Sequence, residues 1–255
     1  MNFLFDESGT SCRITVYDSE TVRYLELDGC EEGAMSLDSE EPVFHYLWFH
    51  RCSRLLPHPP QRILVLGAGA FTAPKCLALD YPDATIDAVD IVPELGEIGK
   101  RFFRLDHSGY RRIRFHPVSA ETFLAQCQPR FYDFIFDDLF DGYQHVPEQS
   151  RTRQHFEQLA RVLSPGGICI KNVIWNPMLA STRAACQEAS AALLEVFSRA
   201  AVLALGQSRQ GHNRLLLGTD QPLATPWHDL ATQLAASGIP ADLVDGIRLA
   251  AASPS

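Results

Sequence analysis

The feature that most constrains the fold is a short apolar run that ends in glycines. Residues 62–70 read Arg-Ile-Leu-Val-Leu-Gly-Ala-Gly-Ala, and helix-forming residues follow them. A strand that turns through glycines into a helix presents backbone N–H groups to a polar or anionic ligand. A second apolar run, residues 86–91, contains Asp90 close to the roughly 20-residue spacing at which a βαβ unit presents an acid to ribose hydroxyls. Together the two runs predict binding of an adenosine-type cofactor.

The charge balance argues against one class of partner. The chain has 255 residues and a formal net charge of −9, and its length suits one substantial core with a small appendage. Binding to a nucleic-acid backbone needs a basic patch. The densest basic cluster, formed by Arg111, Arg112 and Arg114, is interpreted as a solvated strand edge. We therefore expect no nucleic-acid partner.

Cysteine usage and the absence of long apolar runs predict a cytoplasmic protein. The seven cysteines are scattered and contain no CxxC pair, which suits reduced thiols better than a disulfide or zinc framework. No basic and apolar leader opens the chain, and no apolar run approaches the roughly 20 residues that span a bilayer. We expect neither a metal site nor a membrane partner.

Proline punctuation at residues 57–60 predicts a boundary between two units. Residues 1–56 are expected to form a small β module, with strands within residues 11–29. An aromatic-rich helix at residues 42–56, with Phe44, Trp48 and Phe49 in the core, would link this module to the second unit, residues 57–255.

In the second unit, predicted strands and helices alternate, which favours an α/β fold with a parallel sheet covered on both faces. The predicted strands are 63–67, 85–90, 112–116, 133–138 and 167–173. The predicted helices are 71–80, 94–105, 120–127, 148–163 and 178–199. A hairpin of residues 201–205 and 214–217 is expected at a sheet edge, and residues 226–252 are expected to form two short helices.

Five segments in this order resemble the spermidine synthase (polyamine aminopropyltransferase) family. They are Leu-Glu-Leu-Asp-Gly at 25–29, the triplet Phe-His-Tyr at 44–46, Gly-Ala-Gly-Ala-Phe at 67–71, Ala-Val-Asp-Ile-Val-Pro at 88–93, and Tyr-Asp-Phe-Ile-Phe-Asp-Asp-Leu-Phe-Asp at 132–141. The resemblance covers most of residues 12–218. It implies a Rossmann-like sheet of the class I methyltransferase type, preceded by a small N-terminal β domain.

The resemblance also implies the residues of a site that takes S-adenosylmethionine or its decarboxylated form. The implied cofactor residues are Gly67, Ala68, Gly69, Asp90, Ile91, Ser119, Ala120, Glu121 and Asp138. Asp141 occupies the position of the catalytic base, where it takes a proton from the amine or anchors it, and Asp138 is placed near the donor's amino group. The expected contacts to an amine substrate are Glu32, His45, Tyr143 and Trp175.

Several positions depart from the family pattern. Ala70 stands where the family has an acid in its glycine loop, so repulsion of a carboxylate is removed and intact S-adenosylmethionine becomes a plausible donor. Glu32 replaces a glutamine, Ser119 replaces an aspartate that contacts adenine, and Tyr46 ends a triplet that is Tyr-His-Glu in the family. These losses argue against putrescine as the acceptor.

The sequence leaves alternatives open for function and for single residues. The leading hypothesis is transfer of an aminopropyl-type group to an amine. The alternatives are an S-adenosylmethionine-dependent methyltransferase and a degenerate homologue that binds an adenosine ligand without catalysis. Asp141 would otherwise be a turn residue, His45 a packed core histidine, and Glu31 and Glu32 a solvated acidic turn. A homodimer or tetramer is implied by the resemblance alone.

Overall fold

The N-terminal part of the chain forms a four-stranded antiparallel sheet with the order β1-β2-β3-β4. Our computed structural model describes residues 1–141, 145–205, 212–220, 229–245 and 248–252. The four strands are β1 (Asn2–Ser8), β2 (Arg13–Ser19), β3 (Val22–Leu27) and β4 (Cys30–Ser36). The predicted strands within residues 11–29 correspond to β2 and β3. Strands β1 and β4 were not predicted. Strand β1 has no buried residue and shows no alternation of apolar and polar residues, and β4 contains the poor strand formers Glu and Gly.

The aromatic-rich linker is helical, but it forms a 3-10 helix over His45–Leu55 rather than an α-helix. Leu47, Phe49 and Cys52 are buried against the central sheet. His45, at the first position of this helix, is exposed, so its interpretation as a core histidine is wrong; the buried histidine is His50.

The second sheet has the order β12-β10-β11-β9-β8-β5-β6-β7 in the described part of the chain. Its strands are β5 (Arg62–Leu66), β6 (Thr85–Asp90), β7 (Ile113–Pro117), β8 (Tyr132–Asp137), β9 (Leu163–Trp175), β10 (Arg199–Ala204), β11 (His212–Thr219) and β12 (Arg248–Ala252). Strands β5 to β9 are parallel, and β11 and β10 follow as an antiparallel hairpin, with β12 outside them at the edge of the sheet. The predicted α/β fold and the added hairpin are confirmed.

Helices cover both faces of this sheet. They are α1 (Thr72–Asp80), α2 (Leu95–Phe102), α3 (Ala120–Gln126), α4 (Arg153–Val162), α5 (Ala180–Val196), α6 (Leu230–Ala236) and α7 (Ala241–Asp245). The 3-10 helix, α1 and α6 share one buried apolar cluster with the sheet, and α3, α4 and α5 share another. Burial on both faces explains the continuous apolar run of β5, whose residues 63–66 are fully buried. No helix in the described ranges is long and apolar enough to cross a membrane.

Two further predicted elements differ from the structure. The predicted helix at 148–163 begins only at Arg153, because the Thr152 side chain caps it by accepting a hydrogen bond from the backbone N–H of His155 at 3.2 Å. The C-terminal segment, residues 226–252, was expected to form two short helices. It contains α6 and α7, but Arg248–Ala252 pairs with β10 as an antiparallel edge strand.

The order of the strands places the site. From β5 the chain adds β6 and β7 on one side, and then returns to add β8 on the other side of β5. A crevice opens outside the carboxyl ends of the strands where the direction of winding reverses, and open α/β sheets bind ligands there. The loop after β5 and the loop after β8 meet at this crevice.

Candidate active site

A cavity of about 900 Å³ occupies the crevice. It collects most of the site residues expected from the sequence, although their roles remain predictions. The expected residues that line it are Gly67, Ala68, Gly69, Asp90, Ile91, Ser119, Ala120, Glu121, Asp138, Asp141, Glu32 and His45. Strand β4 and the 3-10 helix supply part of the wall, so the N-terminal sheet contributes to the cavity. Tyr143 lies outside the described residues.

The glycine loop after β5 is held between two other backbone segments. Gly67 has φ +87°, and a Cβ atom there would lie 2.2 Å from the carbonyl oxygen of Asp138. Gly69 has φ +47°, and a Cβ atom there would lie 2.8 Å from the carbonyl oxygen of Glu32. Glycine is therefore required at both positions, for backbone conformation and for close approach.

Replacing Gly67 by alanine is expected to lower the free energy of unfolding by about 2–4 kcal/mol, the sum of a positive-φ penalty and a backbone clash. Urea unfolding measures the change. Gly29→Ala is the matched control, because Gly29 has φ +80° but a Cβ atom there would meet nothing within 4 Å, and it should lose only about 1 kcal/mol. Equal losses in the two variants would show that the loop is not tightly held.

Asp90, at the end of β6, is oriented by the glycine loop. Its Oδ2 accepts hydrogen bonds from the backbone N–H groups of Ala68 at 2.9 Å and Gly69 at 3.3 Å, and its Oδ1 accepts from Val92 N–H at 3.1 Å. Burial raises the pKa of Asp90, while these N–H groups oppose the rise. Asp90 also lines the cavity, so a hydroxyl group there can donate a hydrogen bond to one of its carboxylate oxygens, which the loop N–H groups share.

Asp138 follows β8 and is held on both carboxyl oxygens. Tyr46 donates its hydroxyl to Oδ2 at 2.9 Å, and Asn172 donates its amide to Oδ1 at 2.8 Å. Asn213 in turn donates to the Asn172 oxygen at 3.0 Å. Burial raises the pKa of Asp138 to about 6. Sequence reasoning treated Tyr46 only as a departure from a family triplet and missed its contact with Asp138.

Asp141 is exposed and lies at the cavity rim. Its backbone N–H donates to the carbonyl of His145 at 3.0 Å, and the two residues form an antiparallel bridge. Both residues line the cavity. The bridge uses only backbone atoms of Asp141, so its side chain can contact a ligand in the cavity without breaking the bridge.

Trp175 was expected to line the site, and this prediction is wrong. Successive side chains of a strand point to opposite faces. Asn172, Ile174 and Asn176 face the cavity, so Trp175 faces away. Its ring instead packs under the guanidinium of Arg214, 3.7 Å from the ring centroid.

A buried charged cluster lies behind Asp138 and was missed by the sequence analysis. Asp137 and Lys171 are fully buried partners on adjacent strands, and the Lys171 ammonium donates to Asp137 Oδ2 at 2.9 Å. His155 of α4 donates to the same oxygen through Nε2 at 2.7 Å, because a carboxylate can only accept. Burial raises the pKa of Asp137, but the charge of Lys171 and the contact with His155 outweigh this, and the net shift is downward.

Carboxyl groups dominate the cavity. Seven of its lining residues are acidic: Asp28, Glu31, Glu32, Asp90, Glu121, Asp138 and Asp141. No lysine or arginine occurs among the lining residues that the structure describes. Such a cavity attracts cations and repels carboxylates and phosphates.

Glu32 is the acid whose setting differs most from expectation. Its contact with an amine substrate stays a prediction, whereas the alternative of a solvated turn is wrong, because Glu32 is half-buried in β4 and its Oε1 has no hydrogen-bond partner among the described residues. Burial, together with the charges of Asp138, Asp90 and Asp141, raises its pKa to about 7.

No group of three potential metal ligands is found in the described part of the chain.

The strand order and the position of the cavity define the class of fold. The chain has the class I methyltransferase-like fold, with a four-stranded antiparallel sheet at its N-terminus. Human methyltransferase-like protein 13, solved in complex with SAH, matches 76% of this chain and 87% of its own with a TM-score of 0.58 and 20% identity.

Within this class, the curated homologues are named polyamine aminopropyltransferase, so the resemblance found in the sequence is confirmed. The protein of that name from Vibrio vulnificus is 28% identical over 167 residues, and the one from Chromobacterium violaceum is 29% identical over 163 residues. Each alignment covers 62% of this chain, and it spans 55% and 60% of the two relatives. No family model matches the chain.

A solved structure matches over nearly the whole length. The probable spermidine synthase from Corynebacterium glutamicum aligns with 98% of this chain and 91% of its own, with a TM-score of 0.80. Its 20% sequence identity supports a shared fold.

Proposed function

We propose that this protein transfers an aminopropyl-type group from decarboxylated S-adenosylmethionine to an amine. The observation that carries the proposal is the acidic cavity at the carboxyl edge of β5, β6 and β8, which contains no lysine or arginine among its described lining residues. Decarboxylated S-adenosylmethionine and an alkyl amine are both cations without a carboxylate, so both suit this charge. The curated homologues bear the name of this activity.

The residues present fit the nucleoside part of such a donor. The glycine loop lines the cavity with backbone at Gly67 and Gly69, where the neighbouring backbone of Asp138 and Glu32 leaves no room for a side chain. The Asp90 carboxylate is fixed by the loop and lines the cavity, where ribose hydroxyls can donate to it. Ser119 and Glu121 border the cavity at the start of α3, where the family resemblance implies contacts to adenine.

Two aspartates are assigned to the reacting end. The bound donor supplies a carbon activated by a sulfonium; the amine nitrogen bonds to it, the carbon–sulfur bond breaks, and its electron pair stays on sulfur in methylthioadenosine. Asp138, oriented by Tyr46 and Asn172, holds the aminopropyl end. Asp141 orients the attacking amine and takes its proton.

The proposal is tested by incubating the protein with an amine and either donor form. Methylthioadenosine formed only from the decarboxylated donor supports aminopropyl transfer. S-adenosylhomocysteine formed from intact S-adenosylmethionine would replace it with methyl transfer, which the neutral Ala70 permits. Tight binding of methylthioadenosine without turnover of either donor would indicate a non-catalytic homologue.

We also propose, from the family resemblance and the sequence, that the protein is a cytoplasmic homodimer or tetramer.

Replacing Asp90 by asparagine is expected to weaken methylthioadenosine binding by about 10- to 100-fold, because a charge-assisted hydrogen bond to a ribose hydroxyl is lost. The amide oxygen of the variant can still accept from the loop. Calorimetric titration provides the measurement, and the exposed Asp83→Asn is the control. An analogue without the ribose 2′- and 3′-hydroxyls should bind wild type and Asp90→Asn about equally. A variant that loses no affinity for the natural nucleoside would remove Asp90 from the donor site.

A further inference from the structure

Glu32 is held against the glycine loop at the inner wall of the cavity. Its carbonyl oxygen lies 2.8 Å from the position of a Cβ atom on Gly69, and a Cβ atom on the next residue, Gly33, would lie 2.7 Å from the backbone nitrogen of Ala70. The backbone of β4 at Glu32 is therefore fixed by direct contact with the loop. The side chain that projects from it faces the same cavity as Asp138 and Asp90.

The Glu32 carboxyl group lacks a compensating partner. Its Oε1 is buried, and none of the described residues donates a hydrogen bond to it. The groups that face it are other acids, Asp138, Asp90 and Asp141, and the Tyr46 hydroxyl is already donated to Asp138. The other titratable residues lining the cavity are Cys12, Asp28, Glu31, His45, Glu121, His145 and His212. A buried carboxyl without a donor is costly unless it is protonated or meets a cation.

We propose that Glu32 is a specificity residue that binds an alkylammonium group of the substrate and loses a proton as that cation arrives. The choice of ligand rests on the proposed transferase function. The cation replaces the proton as the partner of the carboxyl group, and the proton leaves to solvent. Both the aminopropyl end of the donor and the amine acceptor carry an alkylammonium, so either can occupy this place.

The pKa of Glu32, raised to about 7, makes the proton exchange measurable near neutral pH. From pH 6 to pH 8, ionisation of Glu32 should raise alkylammonium affinity about tenfold, and the smaller contribution of Asp138 should bring the total rise in the wild type to about 20-fold. At pH 7 the release should approach about half a proton per bound cation. In Glu32→Gln the release should be lost, and only about a twofold rise should remain from Asp138, whose pKa is about 6.

The deciding experiment is calorimetric titration in two buffers of different ionisation enthalpy. The ligands are 1,4-diaminobutane alone, decarboxylated S-adenosylmethionine alone, and methylthioadenosine, which carries no ammonium. Wild type, Glu32→Gln and the exposed Glu41→Gln control are compared. We expect Glu32→Gln to lose about tenfold in affinity at pH 8 for the diamine, the donor or both, and to bind methylthioadenosine as wild type does. The ligand that loses affinity identifies the source of the ammonium.

The assignment would be overturned if Glu32→Gln kept the affinity and the proton release of the wild type for both cations. It would also be overturned if the wild type bound neither cation.

A second readout, thermal stability, needs no ligand. Folding raises the Glu32 pKa, so the wild type loses stability as the pH rises toward 8, and Glu32→Gln should melt higher than wild type at pH 8 but not at pH 4. Equal melting temperatures at pH 8 would also overturn it. Glu32-linked binding without methylthioadenosine production would instead refute the proposed function alone.

Discussion

Replacement of Asp141 by asparagine is expected to lower kcat for group transfer by about 100- to 10,000-fold, the range that a positioned general base contributes. The asparagine side chain would occupy the same volume but could not take a proton from the attacking amine. The exposed position of Asp141 and the backbone bridge to His145 mean that the substitution removes no side-chain hydrogen bond within the described structure. Steady-state release of methylthioadenosine measures the change.

Two comparisons make this result specific. Asp83→Asn, at an exposed position outside the cavity, should leave kcat unchanged. Binding of methylthioadenosine to Asp141→Asn should match wild type, because the residue faces the amine rather than the nucleoside. Wild-type turnover in Asp141→Asn would discard the assignment as base, and a rise in KM for the amine with unchanged kcat would leave Asp141 as an anchor only.

Replacement of Lys171 by methionine is expected to lower the free energy of unfolding by about 3–5 kcal/mol, the cost of leaving one charge of a buried pair without its partner. Lys171 and Asp137 are both fully inaccessible to solvent, so water cannot compensate the carboxylate. Urea denaturation at pH 7 measures the loss. The double variant Asp137→Leu with Lys171→Met removes both charges but leaves the buried His155 ring without its acceptor, so its stability should recover in part and end about 1–3 kcal/mol below the wild-type value.

An exposed ion pair serves as the control for this prediction. Arg153 and Glu157 of α4 lie 2.8 Å apart, with 65% and 49% of their side chains exposed, and Arg153→Met should cost no more than about 1 kcal/mol. A double variant as unstable as Lys171→Met would show that the cluster stabilises by its packing and hydrogen bonds rather than by charge compensation.

The parts of the site that depend on local periodicity could be predicted from the sequence. The run at residues 63–66 is apolar because β5 is buried on both faces, and this pattern also places the glycine loop at its carboxyl end. Asp90 could be predicted for the same reason, since one βαβ unit sets its distance along the chain from Gly67. The family resemblance then added Asp138 and Asp141, which follow the next buried strand.

The parts that depend on pairing between distant segments could not be predicted. The contact of Asp137 with Lys171 requires the register of two parallel strands, and no local pattern encodes that register. Side chains alternate between the two faces of β9, and the packing of that strand decides which face lines the cavity. Asn172 therefore faces the cavity while Trp175 faces away. The burial of Glu32 could not be predicted because Glu-Glu-Gly reads as a turn, whereas Glu31 and Gly33 pair with β3 and leave Glu32 at a bulge of the strand.

The close approach of Gly33 to Ala70 has a consequence for how this molecule can be divided. A Cβ atom on Gly33 would lie 2.5 Å from the Ala70 Cβ, so the backbone of the antiparallel sheet packs almost directly against the backbone of the glycine loop. The wall of the cavity therefore belongs to both sheets. A fragment that begins at β5 would retain every parallel strand and all the residues predicted to bind the donor. It would lack the cavity wall formed by β4 and the 3-10 helix, so its ligand site would be open to solvent on that side.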